Sequence, residues 1–127
     1  MKAKLLNKSR FVAFILFLFS VSFSQAQTFY ALKIDRNIRK EAKDITAEYQ
    51  QRLVMRAEQV LEFQNTVAKY MVKRKSVEKN AQLSGSRKHY LLKIISSHES
   101  SEMADVLYPY QWQEYLHLKP KIQPVTY

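Results

Sequence analysis

The sequence predicts an all-α protein, arranged as a long antiparallel helical hairpin of three to four helices that pairs into an extended dimer. Three observations support this fold class. Residues 29–80 contain neither proline nor glycine and consist mostly of good helix formers. Apolar residues in that stretch recur at steps of three, four or seven, which is the spacing of one helical face. No segment shows the alternation of apolar and polar residues that is typical of a β-strand.

The first predicted helical segment carries one apolar stripe along its length. The members of the stripe are Ile38, Ala42, Ile45, Tyr49, Leu53, Val60, Phe63, Val67 and Met71. Arg74 falls on this stripe near its end, where a long side chain can reach water. Arg56 falls in the middle, so we expect the helix to kink or restart nearby.

A tight turn divides the chain at Ser84-Gly85-Ser86, which holds the only glycine. Asn80 is expected to end the helix before this turn, and Ser86 to cap the helix after it. The returning helix contains Ser96–Ser101, a run of poor helix formers that begins with the spacing of a capping box, and we expect a local break there.

A short last helix is predicted to begin at Pro109, because proline suits the first helical turn. Its apolar face is expected at the end of the hairpin or in the dimer seam, and consists of Trp112, Tyr115 and Leu116. Pro120 and Pro124 end regular structure, so a loose C-terminal tail is predicted from about residue 120.

The first 26 residues have the three parts of a cleavable secretory signal. A positively charged start is followed by the apolar run Phe11–Phe19 and by small and polar residues that end in Ser24-Gln25-Ala26. Even extended to Phe23, the apolar stretch is about 13 residues, whereas a membrane span needs about 20. We therefore expect cleavage after Ala26, which leaves residues 27–127 as a single helical domain in the periplasm or outside the cell.

The positive net charge of the chain favours anionic partners that occur outside the cytoplasm. The chain has 21 Lys and Arg residues against 11 Asp and Glu, and four of the positive residues lie before the predicted cleavage point. Export makes nucleic acid an unsuitable partner, so the charge favours unfolded or acidic proteins, or an envelope membrane surface. The chain has no cysteine, so packing or oligomerisation must stabilise it without disulfides.

No residue pattern indicates an enzyme or a cofactor site. The single glycine lies in a turn and leaves no phosphate-binding loop, and the serines around His98 have no identifiable partners for nucleophilic catalysis. His98, Glu102 and Asp105 share one helical face, but a solvated acidic turn is the commoner cause of such a pattern. We therefore expect no catalysis, no cofactor and no metal site.

A basic edge is predicted on the first helix, where four cations recur at steps of three and four. These residues are Lys33, Arg36, Lys40 and Lys43. A solvated face is the default interpretation, and a surface that attracts acidic clients or anionic lipid is the functional one. Residues 99–118 contain four acids and no Lys or Arg, so docking of this segment on the basic edge of a second subunit is the structural alternative.

Two segments resemble the LTxxQ motif of the Spy/CpxP-like periplasmic proteins. In Val106–Tyr115 the matching residues are Leu107, Pro109 and Gln111, and in an earlier copy they are Met55, Glu58 and Gln59. The threonine that caps the helix in the family motif is replaced by Arg56 in the first copy and by Tyr108 in the second, so both copies are degenerate. The resemblance spans about residues 55–115 and makes Arg56 the start of a helix.

The resemblance implies an antiparallel helical protein that dimerises into a thin curved cradle. Members of this family act as ATP-independent chaperones or envelope-stress adaptors, and bind unfolded clients on a basic, partly apolar concave face. Three alternatives stay open. In the first, the motifs are only helix starts in an unrelated bundle. In the second, the protein is a peripheral envelope protein that binds anionic lipid or lipopolysaccharide. In the third, it is the sensor partner of a membrane kinase.

Overall fold

The computed structural model describes residues 34–126, which contain helices and no strand. Four helices follow one another: α1 (Arg36–Gln50), α2 (Ala57–Glu78), α3 (Gly85–Val106) and α4 (Pro109–Ile122). Helices α1 and α3 each pack on both α2 and α4. The predicted all-α class is confirmed, whereas the predicted signal at residues 1–26 and one basic-edge residue, Lys33, lie outside the described residues.

The apolar stripe of the first segment is divided between two helices. Asp35 begins α1 by accepting a hydrogen bond from the Ile38 backbone N–H at 2.8 Å, and α1 ends at Gln50. An irregular segment, residues 51–56, follows, and the backbone of Arg56 is extended immediately before α2. The restart expected near Arg56 is confirmed. Arg56 therefore marks a helix start, and its charge does not interrupt an apolar face.

Helix α3 runs without interruption through Ser96–Ser101, so the break predicted there is wrong. The Ser100 hydroxyl donates to the Ser96 carbonyl one turn earlier at 3.1 Å, a common arrangement for serine inside a helix. Glu99 lies within this run and is completely buried, and Leu92, two turns before it, and Met103, one turn after it, are buried on the same face. Burial of this face outweighs the low helix propensity of the serines, because packing stabilises most protein helices more than propensity does.

The turn predicted at Ser84-Gly85-Ser86 lies earlier, at residues 79–84, because Gly85 and Ser86 are already the first residues of α3. The predicted cap is displaced as well. Ser84, and not Ser86, caps α3, because its hydroxyl accepts a hydrogen bond from the Arg87 backbone N–H at 3.1 Å. Helix α2 ends at Glu78, and Asn80 lies just beyond that end, as expected.

Helix α4 continues through Pro120 to Ile122, two residues beyond the position where the sequence places the start of a tail. A proline this close to a helix end removes one backbone hydrogen bond without stopping the last turn. The Gln123 backbone N–H then donates to the Lys119 carbonyl at 2.7 Å and closes the helix.

The core lies around three aromatic rings from three different helices. Tyr49, Phe63 and Tyr115 are completely buried, and their ring centroids lie 5.0, 5.3 and 5.8 Å apart. Aromatic pairs at such distances contribute about 0.5–1.5 kcal/mol beyond the burial of their area. The buried apolar side chains of the same cluster are Ile38, Ala42, Leu53, Val67, Ala68, Met71, Val72, Met103, Leu107 and Leu118. No helix within residues 34–126 is long and apolar enough to span a bilayer.

Candidate functional site

The two motif segments form the helix starts of α2 and α4, and a glutamine closes each start. Neither the Arg56 guanidinium nor the Tyr108 hydroxyl caps its helix. Instead, the Gln59 side-chain oxygen accepts a hydrogen bond from the Arg56 backbone N–H at 3.0 Å. The Gln111 oxygen accepts in the same way from the Tyr108 N–H at 2.8 Å. Each glutamine is the third residue of its helix and supplies half of a capping box, the half that does not need threonine.

The same two glutamines join the two helix starts to each other. The Gln59 amide nitrogen donates to the Gln111 oxygen at 2.9 Å and to the Val106 carbonyl at 3.2 Å. The Gln111 nitrogen donates to the Val54 carbonyl at 2.7 Å and approaches the Gln59 oxygen at 3.3 Å. Both glutamines are buried, so these bonds satisfy polar groups that have no access to water.

The two junctions are equivalent, residue for residue, at an offset of 52 positions. Val54 and Val106 each lie two residues before the helix-starting residue and each accept from the opposite glutamine. The helix-starting residues also meet, since an Arg56 guanidinium nitrogen donates to the Tyr108 hydroxyl at 3.1 Å. The two segments are thus related by a pseudo-twofold arrangement. We call residues 54–59 and 106–111 the paired junctions.

The other motif residues divide into a buried and an exposed group. Leu107 is buried, and Met55 at the equivalent position is partly buried against the same core cluster. Glu58 and Pro109 are exposed in the first turns of α2 and α4. A carboxylate suits the positive end of the helix dipole, and proline suits the first helical position.

Large apolar side chains are exposed at the paired junctions, a feature that the sequence motifs did not reveal. The exposed fractions are 90% for Val54, 72% for Tyr110 and 44% for Tyr108. The rings of Tyr108 and Tyr110 stack with their centroids 6.2 Å apart. Exposure could not be predicted because the polarity pattern of the motif alone does not say which face the bundle covers. Exposed apolar clusters of this kind are typical of interaction surfaces.

The basic edge of α1 is exposed as predicted, for the part of it that the structure describes. The side chains of Arg36, Lys40 and Lys43 are exposed, and none forms an ion pair within residues 34–126. The neighbouring acid Glu41 pairs with Lys75 of α2 at 3.1 Å, which removes one negative charge from this surface. The edge therefore presents unneutralised positive charge to solvent.

The predicted acidic segment does not form one surface, because its first acid, Glu99, is buried. One Glu99 carboxylate oxygen lies 3.1 Å from Arg74 of α2 and 3.2 Å from Lys119 of α4. Glu102 pairs with Lys69. Two of the four acids in residues 99–118 are thus paired within the chain and are not available to a second subunit.

Burial affects the pKa values of two residues of the ionic cluster. The members of this cluster are Lys69, Arg74, Glu99, Glu102 and Lys119. Burial lowers the pKa of the Lys119 ammonium, and the neighbouring Glu99 carboxylate opposes part of that shift. Burial alone would raise the pKa of Glu102, but hydrogen bonds from Lys69 and Tyr70 outweigh it and the pKa is lowered overall. The Lys119 ammonium also donates to the Ser96 carbonyl and to the Ser100 hydroxyl at 2.7 Å. Together with Glu99, these groups provide one acceptor for each of the three protons of the Lys119 ammonium.

The predicted apolar face of α4 belongs to the core of the described chain. Tyr115 packs against both Tyr49 and Phe63, and Leu116 is partly buried against the same cluster. Trp112 is partly buried, and its indole N–H donates to the Ser100 carbonyl of α3 at 2.8 Å. Burial raises the pKa of the Tyr49 and Tyr115 hydroxyls well above their usual value of 10.0.

The three residues weighed as metal ligands do not converge. His98 and Asp105 are exposed, and Glu102 is engaged with Lys69. Within residues 34–126 no three His, Asp or Glu side chains lie close enough together to hold a metal ion.

Comparisons of the chain with protein-family models, with curated proteins and with solved structures find no match.

Proposed function

We propose that this protein is an exported helical binding protein of the Spy/CpxP-like type, acting in the periplasm as an ATP-independent chaperone or envelope-stress adaptor. In this proposal residues 1–26 are a signal peptide that is removed on export. The remaining chain folds as an antiparallel helical hairpin, forms a homodimer, uses no cofactor and catalyses no reaction. Its ligands are unfolded or acidic proteins.

The observation that carries this proposal is the reciprocal pairing of Gln59 and Gln111. The two motif segments were recognised separately, 52 residues apart, and their glutamines occupy equivalent positions and bond to each other. An unrelated bundle whose helices merely begin with similar residues has no reason to bring the two segments together. The pairing therefore supports the motif resemblance over chance similarity.

The basic edge is the proposed client surface. Arg36, Lys40 and Lys43 are exposed and form no ion pair within residues 34–126, and Lys33 continues the same spacing. An unfolded acidic client gains long-range attraction from such an edge and short-range contact from exposed apolar groups such as Val54 and Leu61. A homodimer presents two edges, and sedimentation at micromolar concentration tests whether it forms.

The proposal is tested by charge reversal on the basic edge. We expect the quadruple glutamate variant at Lys33, Arg36, Lys40 and Lys43 to suppress the aggregation of a denatured acidic client less well than the unmodified protein. Light scattering of the client without ATP measures the effect, and added salt should weaken protection because exposed charges are screened beyond about 8 Å at physiological ionic strength.

A matched control separates the basic edge from net charge. Lys79, Arg87, Lys93 and Lys121 are also exposed, and reversing these four changes the net charge by the same amount. Equal protection by the edge variant and the unmodified protein clears the edge of a role in client binding. Absence of protection by the unmodified protein, together with binding to vesicles of anionic lipid, makes the envelope surface the ligand instead.

A further inference from the structure

Residues 123–126 leave α4 and separate two clefts in the surface of the bundle; we call this segment the strap. The first cleft has a volume of about 250 Å³ and the second about 380 Å³, and Gln123, Pro124 and Val125 line both. Apolar side chains from all four helices line the first cleft: Ile45, Met71, Leu92 and Ile122. Leu116 and Pro120 contribute to the second. The two clefts are thus neighbouring parts of one groove that the strap crosses.

Among residues 34–126, hydrogen bonds anchor the strap at Gln123 alone. The side-chain oxygen of Gln123 accepts a hydrogen bond from the buried Tyr49 hydroxyl at 2.7 Å. The amide nitrogen of the same side chain is buried and has no acceptor within residues 34–126. Beyond Gln123, Pro124 has no N–H, and no backbone hydrogen bond joins residues 124–126 to the described helices. Few polar contacts are therefore lost when the strap leaves the groove.

The groove favours an uncharged occupant. The three cations that line it are all paired, Lys75 with Glu41 at 3.1 Å, and Arg74 and Lys119 with the buried Glu99 at 3.1 and 3.2 Å. Beyond these pairs, the lining outside the strap consists of apolar side chains, Ser96 and Ser100, and the exposed carboxylate of Glu78. The strap residues Pro124 and Val125 show the kind of chain that fits, an extended segment with a rigid backbone and a branched apolar side chain.

We propose that the strap is an internal occupant of a peptide groove, and that an extended, uncharged apolar segment of an unfolded protein displaces it from the bundle. This inference rests on the proposed client-binding function and adds a second contact surface to it. Long-range attraction by the basic edge brings the client close, and the groove binds an uncharged, proline-containing stretch of its chain. Because the strap competes for the groove, apparent affinity is reduced by the fraction of molecules in which the strap is bound.

Releasing the strap tests this inference in the full chain. Val125 is partly buried and Thr126 is exposed, so Val125→Asp releases the strap and Thr126→Asp adds the same charge without releasing it. The probe is a fluorescein-labelled peptide with the strap sequence, Ile-Gln-Pro-Val-Thr, and fluorescence anisotropy measures its binding. We expect Val125→Asp to bind the peptide about tenfold more tightly than either the unmodified protein or Thr126→Asp. Equal affinity in all three proteins overturns the inference.

A second measurement uses the unmodified protein and needs no variant to fold. Met71 lies on the floor of the groove, whereas Met55 lies at the paired junctions. With ¹³C-methyl methionine, a large excess of the peptide should shift the Met71 signal and leave the Met55 signal in place. A control peptide in which aspartate replaces the valine should shift neither signal. If the original peptide shifts both signals equally, or shifts neither, the groove does not lie at this position.

The outcome also separates this inference from the proposed function. Peptide binding that increases on strap release, in a protein that protects no client, supports the groove and removes the chaperone role. Client protection without any effect of Val125→Asp on peptide binding keeps the chaperone role and removes the groove.

Discussion

Glutamine at the third position of α2 and α4 meets two requirements that no other side chain of similar size meets together. Its oxygen accepts the backbone N–H that opens its own helix, and its nitrogen donates to the opposite junction. A glutamate at Gln111 would accept but could not donate, and it would leave the Val54 carbonyl without a partner. The side chains of Arg56 and Tyr108 form no capping hydrogen bond, so these glutamines close the starts of α2 and α4.

We expect Gln111→Ala to lower the free energy of unfolding by about 2–3 kcal/mol, because it leaves the Val54 carbonyl and the Tyr108 N–H without partners. Urea denaturation followed by circular dichroism measures the change. Gln113→Ala, at an exposed position two residues later, is the control and should change it by less than about 0.5 kcal/mol. A loss at Gln111 no larger than that of the control would mean that the paired junctions contribute nothing to stability.

The buried Glu99 is the second residue on which the packing depends. It joins α3 to Arg74 of α2 and to Lys119 of α4, and both cations share its single negative charge. We expect Glu99→Gln to cost about 3 kcal/mol of stability, because it keeps the shape of the side chain but leaves two partly or fully buried cations unpaired. Asp105→Asn removes a charge from an exposed position of the same helix and should be nearly neutral in the same denaturation experiment. Similar stability of the two variants would contradict a structural role for the ionic cluster.

At the scale of elements, the sequence predicts helices better than it predicts where they stop. The restart at Arg56 and the presence of a connection between α2 and α3 could be predicted because local signals coincide there with a change in the apolar pattern. The connection lies at residues 79–84, before the predicted Ser84–Ser86. The continuity of α3 through Ser96–Ser101 could not, because it depends on burial of Glu99, and a charged residue is ordinarily expected at the surface. Partners of Glu99 come from two other helices, and a local pattern cannot identify them.

The continuity of α3 predicts the effect of a proline in its middle. Ser97→Pro should lower the free energy of unfolding by about 3 kcal/mol or more, because it removes a backbone hydrogen bond and clashes with the preceding turn. Gly85→Pro is the matched control: it lies at the first position of α3, after an extended Ser84, and a side chain there meets no atom within 4 Å. Tolerance of proline at position 97 would restore the break that the sequence indicates.

The candidate site was predictable only in part, for a reason that concerns the molecule as a whole. Gln59 and Gln111 follow from the motif resemblance, and the basic edge follows from spacing, since spacing on a helix fixes which residues share a face. The exposed cluster at Val54, Tyr108 and Tyr110 was not, because it depends on how four helices pack. The acidic segment was interpreted as a surface, and packing instead pairs part of it with α2 and α4.

At the scale of the whole molecule, the distribution of unpaired charge determines which surface attracts a partner. The basic edge of α1 is open, whereas the cations on α2 and α4 that face α3, namely Lys69, Arg74 and Lys119, are paired with acids of the chain. Attraction of an acidic partner therefore comes from one helix more than from the net charge. Such an arrangement gives weak, salt-sensitive and rapidly formed complexes, which suit a protein that holds unfolded clients without an energy source.

The most direct test of this account is the binding of residues 27–127 to a reduced, carboxymethylated protein, which is permanently unfolded and acidic. Fluorescence anisotropy of the labelled client measures binding at low and at physiological salt, with vesicles of anionic lipid as the competing ligand. We predict that the protein binds the unfolded client saturably and that vesicles do not abolish this binding. Added salt should weaken the binding as the Debye length falls below about 10 Å. Failure to bind the client at any salt concentration, with tight binding to the vesicles, would contradict the account.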